Sequence, residues 1–334
     1  MTALPARADL ATKSPDMAGR AEIVAAAGES IRKGSRSFAA ASRLFDRTTR
    51  ERVWLLYAWC RRCDDLADAQ DHGGALGDQG GADERLATIR DKTVLAFAGL
   101  PTGEPAFDAL GVVARETGLT YDMADAVIEG FALDAADWQP RSEADLMRYC
   151  WHVAGAVGVM MAVVMGTDPK DEDTLDRACD LGLAFQLANI ARDVAEDNAA
   201  QRCYLPSEWI AEADLPPGEQ MKPPHRAALA SVVQRLCVLA EAHESSARIG
   251  ANRLKLRQRW AILAAAGIYG DIARDVARRG AKAWDSRTVV SGKRKLVWIA
   301  RAGLQALGPV PLASHQAAEG RRFTRRDLIA YARA

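Results

Sequence analysis

Apolar residues recur at spacings of three and four along almost the whole chain, and that pattern predicts helices. The first run covers 20–33 and a short one follows at 38–44. The next begins at Thr48 or Thr49, either of which can cap it, and stops near Gln70. Helices are expected again at 83–99, 105–117, 121–137 and 142–166, the last opened by Ser142 and Asp145 as a capping box. Others follow at 171–198, at a short stretch after Cys203–Pro206, and at 225–250, 256–279, 293–307 and 324–333. Prolines 216, 217, 223 and 224 mark a loop, and 284–291 reads as a break. No segment alternates as a strand would, and no repeat recurs. The expectation is an all-α, single-domain bundle with its working groups between facing helices. Residues 1–18 lack periodicity and read as a flexible tail, 19–310 as the bundle, and 311–334 as a basic C-terminal segment.

One stretch breaks the amphipathic rule. Val153–Met165 is almost wholly apolar, and a helix apolar all round belongs at the centre of a bundle. Thirteen residues are too few to span a bilayer, which takes about 20. Gly155 and Gly158 allow a close approach, by a neighbouring helix or by a hydrocarbon chain.

Composition narrows the classes. The chain has 334 residues, 49% of them hydrophobic, enough for a sizeable core. Lys plus Arg equals Asp plus Glu at 44 each, which argues against bulk nucleic-acid binding. No basic-then-apolar leader is visible, and six scattered cysteines fit reduced thiols in a cytoplasmic protein. Cys60 and Cys63 form a lone CxxC without the two further ligands a zinc site needs. Gly-rich residues 71–81 follow no strand and contain no GxGxxG, so they are a loop or a mobile cover rather than a dinucleotide site.

The candidate chemistry lies where polar groups interrupt apolar helices. Asn189, Asp193 and Asp197 stand at i, i+4 and i+8, and each such step turns a helix face by only about 40°. Three oxygen ligands therefore stack along one stripe, while Leu187, Ile190 and Val194 fall off it and can pack. Oxygen donors without His or Cys suit Mg²⁺, which completes its shell with water and phosphate. Asp64 and Asp68 repeat the spacing upstream, with Asp65 beside them and with Arg61 and Tyr57 on nearly the same face. Gln186 and Arg192 flank the second stripe. Two such helices facing each other can hold several Mg²⁺ ions bridged by a diphosphate, with Arg61 and Arg192 neutralising the remainder. Acidic pairs at this spacing also decorate solvated faces, but a helix-interior Asn has no surface logic. Gly34–Phe38, reading GSRSF, is either a phosphate-contacting turn through Ser35, Arg36 and Ser37 or an ordinary N-cap. The basic residues from Lys293 to Arg326 suit either anionic lipid headgroups or a solvated face.

In order, GSRSF, YAWCRRCDDLAD, RYCWHVAGAVG, LAFQLANIARDVAED and CYLPSEW resemble the bacterial phytoene synthases of the squalene/phytoene synthase family, over about 28–300. Trp151 departs from the pattern, since close relatives often carry Tyr there. The resemblance implies the isoprenoid synthase fold and a prenyltransferase of carotenoid biosynthesis. Two molecules of geranylgeranyl diphosphate would join head to head, through prephytoene diphosphate, to phytoene. Mg²⁺ would be required, Mn²⁺ could substitute, and no NADPH is expected. It implies metal ligation by Asp64, Asp68, Asn189, Asp193 and Asp197, with Arg61 and Arg192 also catalytic. Ser35, Arg36, Ser37, Phe38, Tyr57, Arg61, Gln186, Arg192 and Tyr269 would bind substrate. Product release would take place at a peripheral contact with the inner membrane. The alternative is a related synthase making squalene, dehydrosqualene or presqualene diphosphate from farnesyl diphosphate. DDLAD also fits the DDxxD of elongating prenyltransferases and terpene cyclases, but the elongating enzymes' second DDxxD is missing and the cyclases' second triad differs. A lipid-binding scaffold is the rival from another class.

Overall fold

The computed structural model describes residues 17–69, 80–309 and 312–333; the N-terminal tail and most of the Gly-rich loop lie outside them. Fifteen α-helices and no strand occur among the described residues. They are α1 Met17–Gly34, α2 Arg36–Ser42, α3 Arg47–Ala67, α4 Ala82–Ala98 and α5 Pro105–Thr117. Then come α6 Tyr121–Ala135, α7 Glu143–Cys150, α8 Ala156–Val164, α9 Glu172–Ala199 and α10 Ser207–Glu212. The last five are α11 Arg226–Gly250, α12 Leu256–Arg279, α13 Gly292–Leu307, α14 Leu312–Ala318 and α15 Arg325–Arg333. This is the expected all-α bundle.

Local chemistry explains most boundaries. Asp46, not Thr48 or Thr49, caps α3: its carboxylate accepts from the Thr49 amide at 3.0 Å and the Thr49 hydroxyl at 2.7 Å. Both threonines were plausible caps; the carboxylate wins because it satisfies two donors at once. Ser142 and Asp145 form the expected reciprocal box at the start of α7. The single helix expected over 142–166 is interrupted by a wide π-turn, Trp151–Gly155, between α7 and α8. Helix α14 carried no clear period and was not expected.

α9 is the hub, packing against α8, α11, α12 and the π-turn. Its contact with the π-turn and α8 is backbone on backbone. A Cβ at Gly158 would lie 2.3 Å from the Ala178 carbonyl oxygen, and one at Gly182 would lie 2.1 Å from that of Ala154. Glycine is needed at both points, and the neighbour that comes close is a helix. Glu143–Val164 is long and apolar enough to cross a membrane by composition, yet 67% of its most apolar window is buried within the bundle. Val159, Met160, Val163 and Val164 sit in the same core as Leu183, Leu187 and Ile190 of α9. The C-terminal segment docks too: α15 packs on α7 and α9, with Leu328 fully buried.

Candidate active site

The first acidic stripe ends α3. Arg61, near its C-terminal end, reaches Asp64 at 2.9 Å and Asp65 at 2.7 Å. Asp65 is the buried one of the pair; Asp64 points outward into a cleft. Burial pushes the Asp64 carboxyl up to about 6, Arg61 opposing and Asp68 adding to the rise. Asp68, the C-cap, is likewise raised by burial. The GSRSF turn is folded against this helix. A Cβ at Gly34 would sit 2.4 Å from the Tyr57 hydroxyl, so the glycine admits the tyrosine. The Phe38 and Tyr57 rings lie 5.7 Å apart, and the Ser35 hydroxyl accepts from the Phe38 amide at 3.3 Å. Ser35 is thus an N-cap beside the candidate site; the side chains of Arg36 and Ser37 lie outside the described residues.

The second stripe runs along α9. Leu187, Ile190 and Val194 are buried, which leaves Gln186, Asn189, Asp193 and Asp197 together on the half-exposed face. Arg192 donates to Asp193 at 2.7 Å. Arg287 grips the same carboxylate at 2.8 Å from the segment before α13. The Trp284 indole, donating to the Ala191 carbonyl at 3.0 Å, ties that segment to α9. Burial raises the Asp193 carboxyl, but the two guanidinium groups outweigh it and hold it below the usual carboxylate range. Asp197, one turn on, is pushed up to about 7 by burial and then by Asp193, with Arg202 opposing. Tyr269 of α12 stacks on Phe185 with centroids 3.9 Å apart, close enough to Arg192 to feel its charge.

A cleft of about 240 Å³ opens beside the first stripe, lined by Asp64, Asp68, Phe131 and Asp134, and by Arg202 from just beyond the end of α9. Arg202 folds back on the end of α9, its amide donating to the Asp197 carbonyl at 2.8 Å, and its guanidinium comes within 3.8 Å of Asp68. One arginine therefore lies between the two acidic helices. Asp134 of α6 adds another buried acid, pushed up to about 6 by burial and accepting from the hydroxyls of Tyr149 and Tyr204, each at 3.0 Å. Trp138, Tyr149 and Tyr204 stack in a column beside it.

Arg202, Arg287, Asp134 and Tyr204 were missed as candidates. Tyr204 lies inside CYLP and Arg202 just before it, so the motif was a usable signal. Asp134 is an acid at the end of an apolar helix and was equally visible. Arg287, 94 residues from its partner in an aperiodic break, had no signal. Burial pushes the Cys60 thiol up to about 12 and raises the Cys63 thiol well above its usual value, so neither is poised as a thiolate.

Among the described residues no three His, Cys, Asp or Glu side chains are drawn together tightly enough to hold an ion. The donor set nevertheless fits Mg²⁺. Asp64, Asp68 and Asp197 are half-buried, offer only oxygen donors, and have carboxyls raised by desolvation, so each gains from a nearby positive charge. A divalent cation bound there would supply it.

Comparison with known proteins places the chain. The family model described as Squalene/phytoene synthase matches residues 31–295. A phytoene synthase of Pseudescherichia vulneris is 45% identical over 283 residues, covering 84% of this chain and 91% of that one. A 15-cis-phytoene synthase of Pantoea ananas is 44% identical over 285 residues, covering 84% and 90%. Among solved structures, a dehydrosqualene synthase superimposes with a TM-score of 0.75 at 27% identity, over 85% of this chain and 96% of that one. A squalene synthase from Alicyclobacillus acidocaldarius, at 22% identity and TM-score 0.69, shares the fold over 79% of this chain and 96% of its own. Two acidic helices bridged by arginine, on this fold and with this degree of identity, make the chain a member of the squalene/phytoene synthase family.

Proposed function

We propose that the chain is a prenyltransferase that joins two molecules of geranylgeranyl diphosphate head to head, through prephytoene diphosphate, to phytoene. The observation that carries this reading is the position of Arg202, within 3.8 Å of Asp68 on one stripe and hydrogen-bonded to the Asp197 backbone on the other, in a chain 45% identical to a phytoene synthase. Asp64, Asp68, Asn189, Asp193 and Asp197 would hold Mg²⁺, for which Mn²⁺ can substitute; no NADPH is called for. Bound there, the metal acts as a Lewis acid on the diphosphate leaving group.

The remaining work belongs to the chain. Arg61, Arg192, Arg202 and Arg287 are placed to exchange their carboxylate partners for diphosphate oxygens as the allylic C–O bond breaks. The carbocation formed must be kept from water, and the buried apolar faces of α8 and α9 supply dry walls. Tyr57, paired with Phe38, and Phe185, stacked on Tyr269, stand on the two acidic helices and are aromatic groups suited to steadying positive charge. The first condensation gives the cyclopropylcarbinyl diphosphate; a second ionisation, rearrangement and loss of a proton give the polyene. A cytoplasmic location fits the reduced thiols.

The test is direct. Purified protein with geranylgeranyl diphosphate and Mg²⁺ should release inorganic diphosphate and a forty-carbon hydrocarbon, and chelation should stop it. Recovery of substrate or of the plain alcohol alone would end the reading. The dehydrosqualene synthase fold match keeps farnesyl diphosphate as the second candidate. Equimolar competition between the two substrates, read by product length, decides it.

A further inference from the structure

Helix α13 is apolar on its outer face as well as its inner one. Its sequence, GKRKLVWIARAGLQAL, turns the small residues inward: Ala302 and Ala306 are buried against Leu263 and Ala264 of α12. Trp298 and Ile299 are half-buried beside them, and four large aliphatic side chains face out. Leu296 is 68% exposed, Val297 54%, Leu304 75% and Leu307 74%. With Ala300 these positions form one continuous stripe at helical spacing. Leu256, 53% exposed, extends the stripe at its far end. It lies less than one turn from Arg259, which donates to the Gln305 and Gly308 carbonyls at the end of α13. Val289 extends it at the near end at 71%. A water-facing helix face ordinarily carries charge; this one carries three of the four most exposed large aliphatic side chains among the described residues, Leu304, Leu307 and Leu296.

The charges around the stripe have one sign. α13 contains no acidic residue; Lys293 and Arg301 lie on the exposed face, and Lys295 is beside it. Arg294 is committed inward, to Asp271 at 2.8 Å and to Asp275 at 2.5 Å. Arg321 and Arg325 are likewise engaged within the bundle, with Asp180 and with Asp176 and Glu172. Lys293 and Arg301 are left as outward cations at the apolar stripe. We infer that the outer face of α13, with Leu256 and Val289, is a docking surface for an anionic phospholipid bilayer. Apolar side chains enter the acyl boundary while Lys293 and Arg301 meet phosphate headgroups. A second copy is a poorer occupant. A two-fold contact would set α13 against itself, cation against cation, with no carboxylate on the helix to answer them. An apolar stripe and a basic rim are the two signals that together give stable peripheral binding where either alone gives weak binding.

The experiment is vesicle flotation with the full chain, on pure phosphatidylcholine and on phosphatidylcholine with about 30% phosphatidylglycerol. Wild type should float with the anionic vesicles and at least about tenfold less with the neutral ones. Leu296→Asp combined with Leu304→Asp should lose flotation at least about tenfold with an unchanged melting temperature, because both side chains are exposed. Lys293→Glu combined with Arg301→Glu should lower anionic binding to the neutral level. Turnover in detergent micelles should be the same in all three proteins, so that a failed catalytic reading and a failed docking reading register separately. Wild type that ignores anionic vesicles, or variants that float as it does, would overturn the inference. So would a wild-type dimer in ultracentrifugation that Leu304→Asp splits without changing flotation.

Discussion

Asp193 and Asp197 sit one turn apart on α9 and hold their protons very differently, because Arg192 and Arg287 converge on the first while burial dominates at the second. Asp193→Asn keeps the shape, removes the charge and leaves two guanidinium groups facing each other. We expect turnover to fall about 10²- to 10³-fold with little change in melting temperature, checked by single-turnover kinetics alongside a thermal melt. Leaving the other end of the arrangement intact isolates the effect: Arg287→Met should lower turnover less, since Arg192 still serves the same carboxylate. The acidic stripes were legible in the sequence because their spacing matches the helix period and because acids in apolar helices are conspicuous. Arg287 was not, since an arginine in an aperiodic break has no partner until the chain folds. Arg202 was only half legible: it precedes a recognisable motif, but its place between Asp68 and Asp197 is a fact of three dimensions.

At the scale of elements, two contacts set the frame. α9 touches α8 at Gly158 and the π-turn before it at Gly182, where a methyl group has no space. Gly182→Ala drives a Cβ into a backbone carbonyl rather than a flexible side chain, so the helices must part. A loss of about 2–3 kcal/mol is expected by denaturant titration, with turnover reduced because α9 carries the second stripe. On the far side, α1, α3 and α5 are clasped by Arg20, which reaches Glu116 at 2.6 Å and Glu51 at 2.8 Å, while Arg52 reaches Glu116 at 2.9 Å. Burial pushes the Glu116 carboxyl up, but the guanidinium hydrogen bonds and charges prevail and hold it below its ordinary value. A carboxyl lowered on folding stabilises the fold above its unfolded-state value, near 4.5, and the gain disappears as pH falls through the folded value. Arg20→Met should therefore cost about 1 kcal/mol at neutral pH, with the deficit closing below pH of about 4 in a series of melts. The helices were legible from periodicity; the clasp was not, because pairs 96 residues apart leave no local trace.

At the scale of the whole molecule, the C-terminal segment is stitched to the centre. Asp180, almost fully buried on α9, accepts from Arg321 at 2.6 Å, is paired with His243 at 2.8 Å, and accepts from Ser246. Arg321→Ala removes the guanidinium paired with that carboxylate. A loss of about 2–3 kcal/mol is expected by chemical denaturation, with turnover preserved well below the melting point, because none of these groups borders the cleft. Composition had suggested only a basic tail there. It could not say that the tail's charges would be spent on buried acids, nor that α14 would form in a stretch with no clear period.

The wide turn at Trp151–Gly155 has a consequence for anyone who rearranges this chain. It accommodates one surplus residue, so the faces of α7 and α8 are out of phase by about 100° although a single apolar run encodes both. A chimera spliced at Cys150 to a donor lacking that residue would keep its helicity and its hydrophobicity. It would still present the wrong edge of α8 to Ala178, with a bulky side chain arriving where Gly158 belongs. Counting must start from Gly155, downstream of the slip.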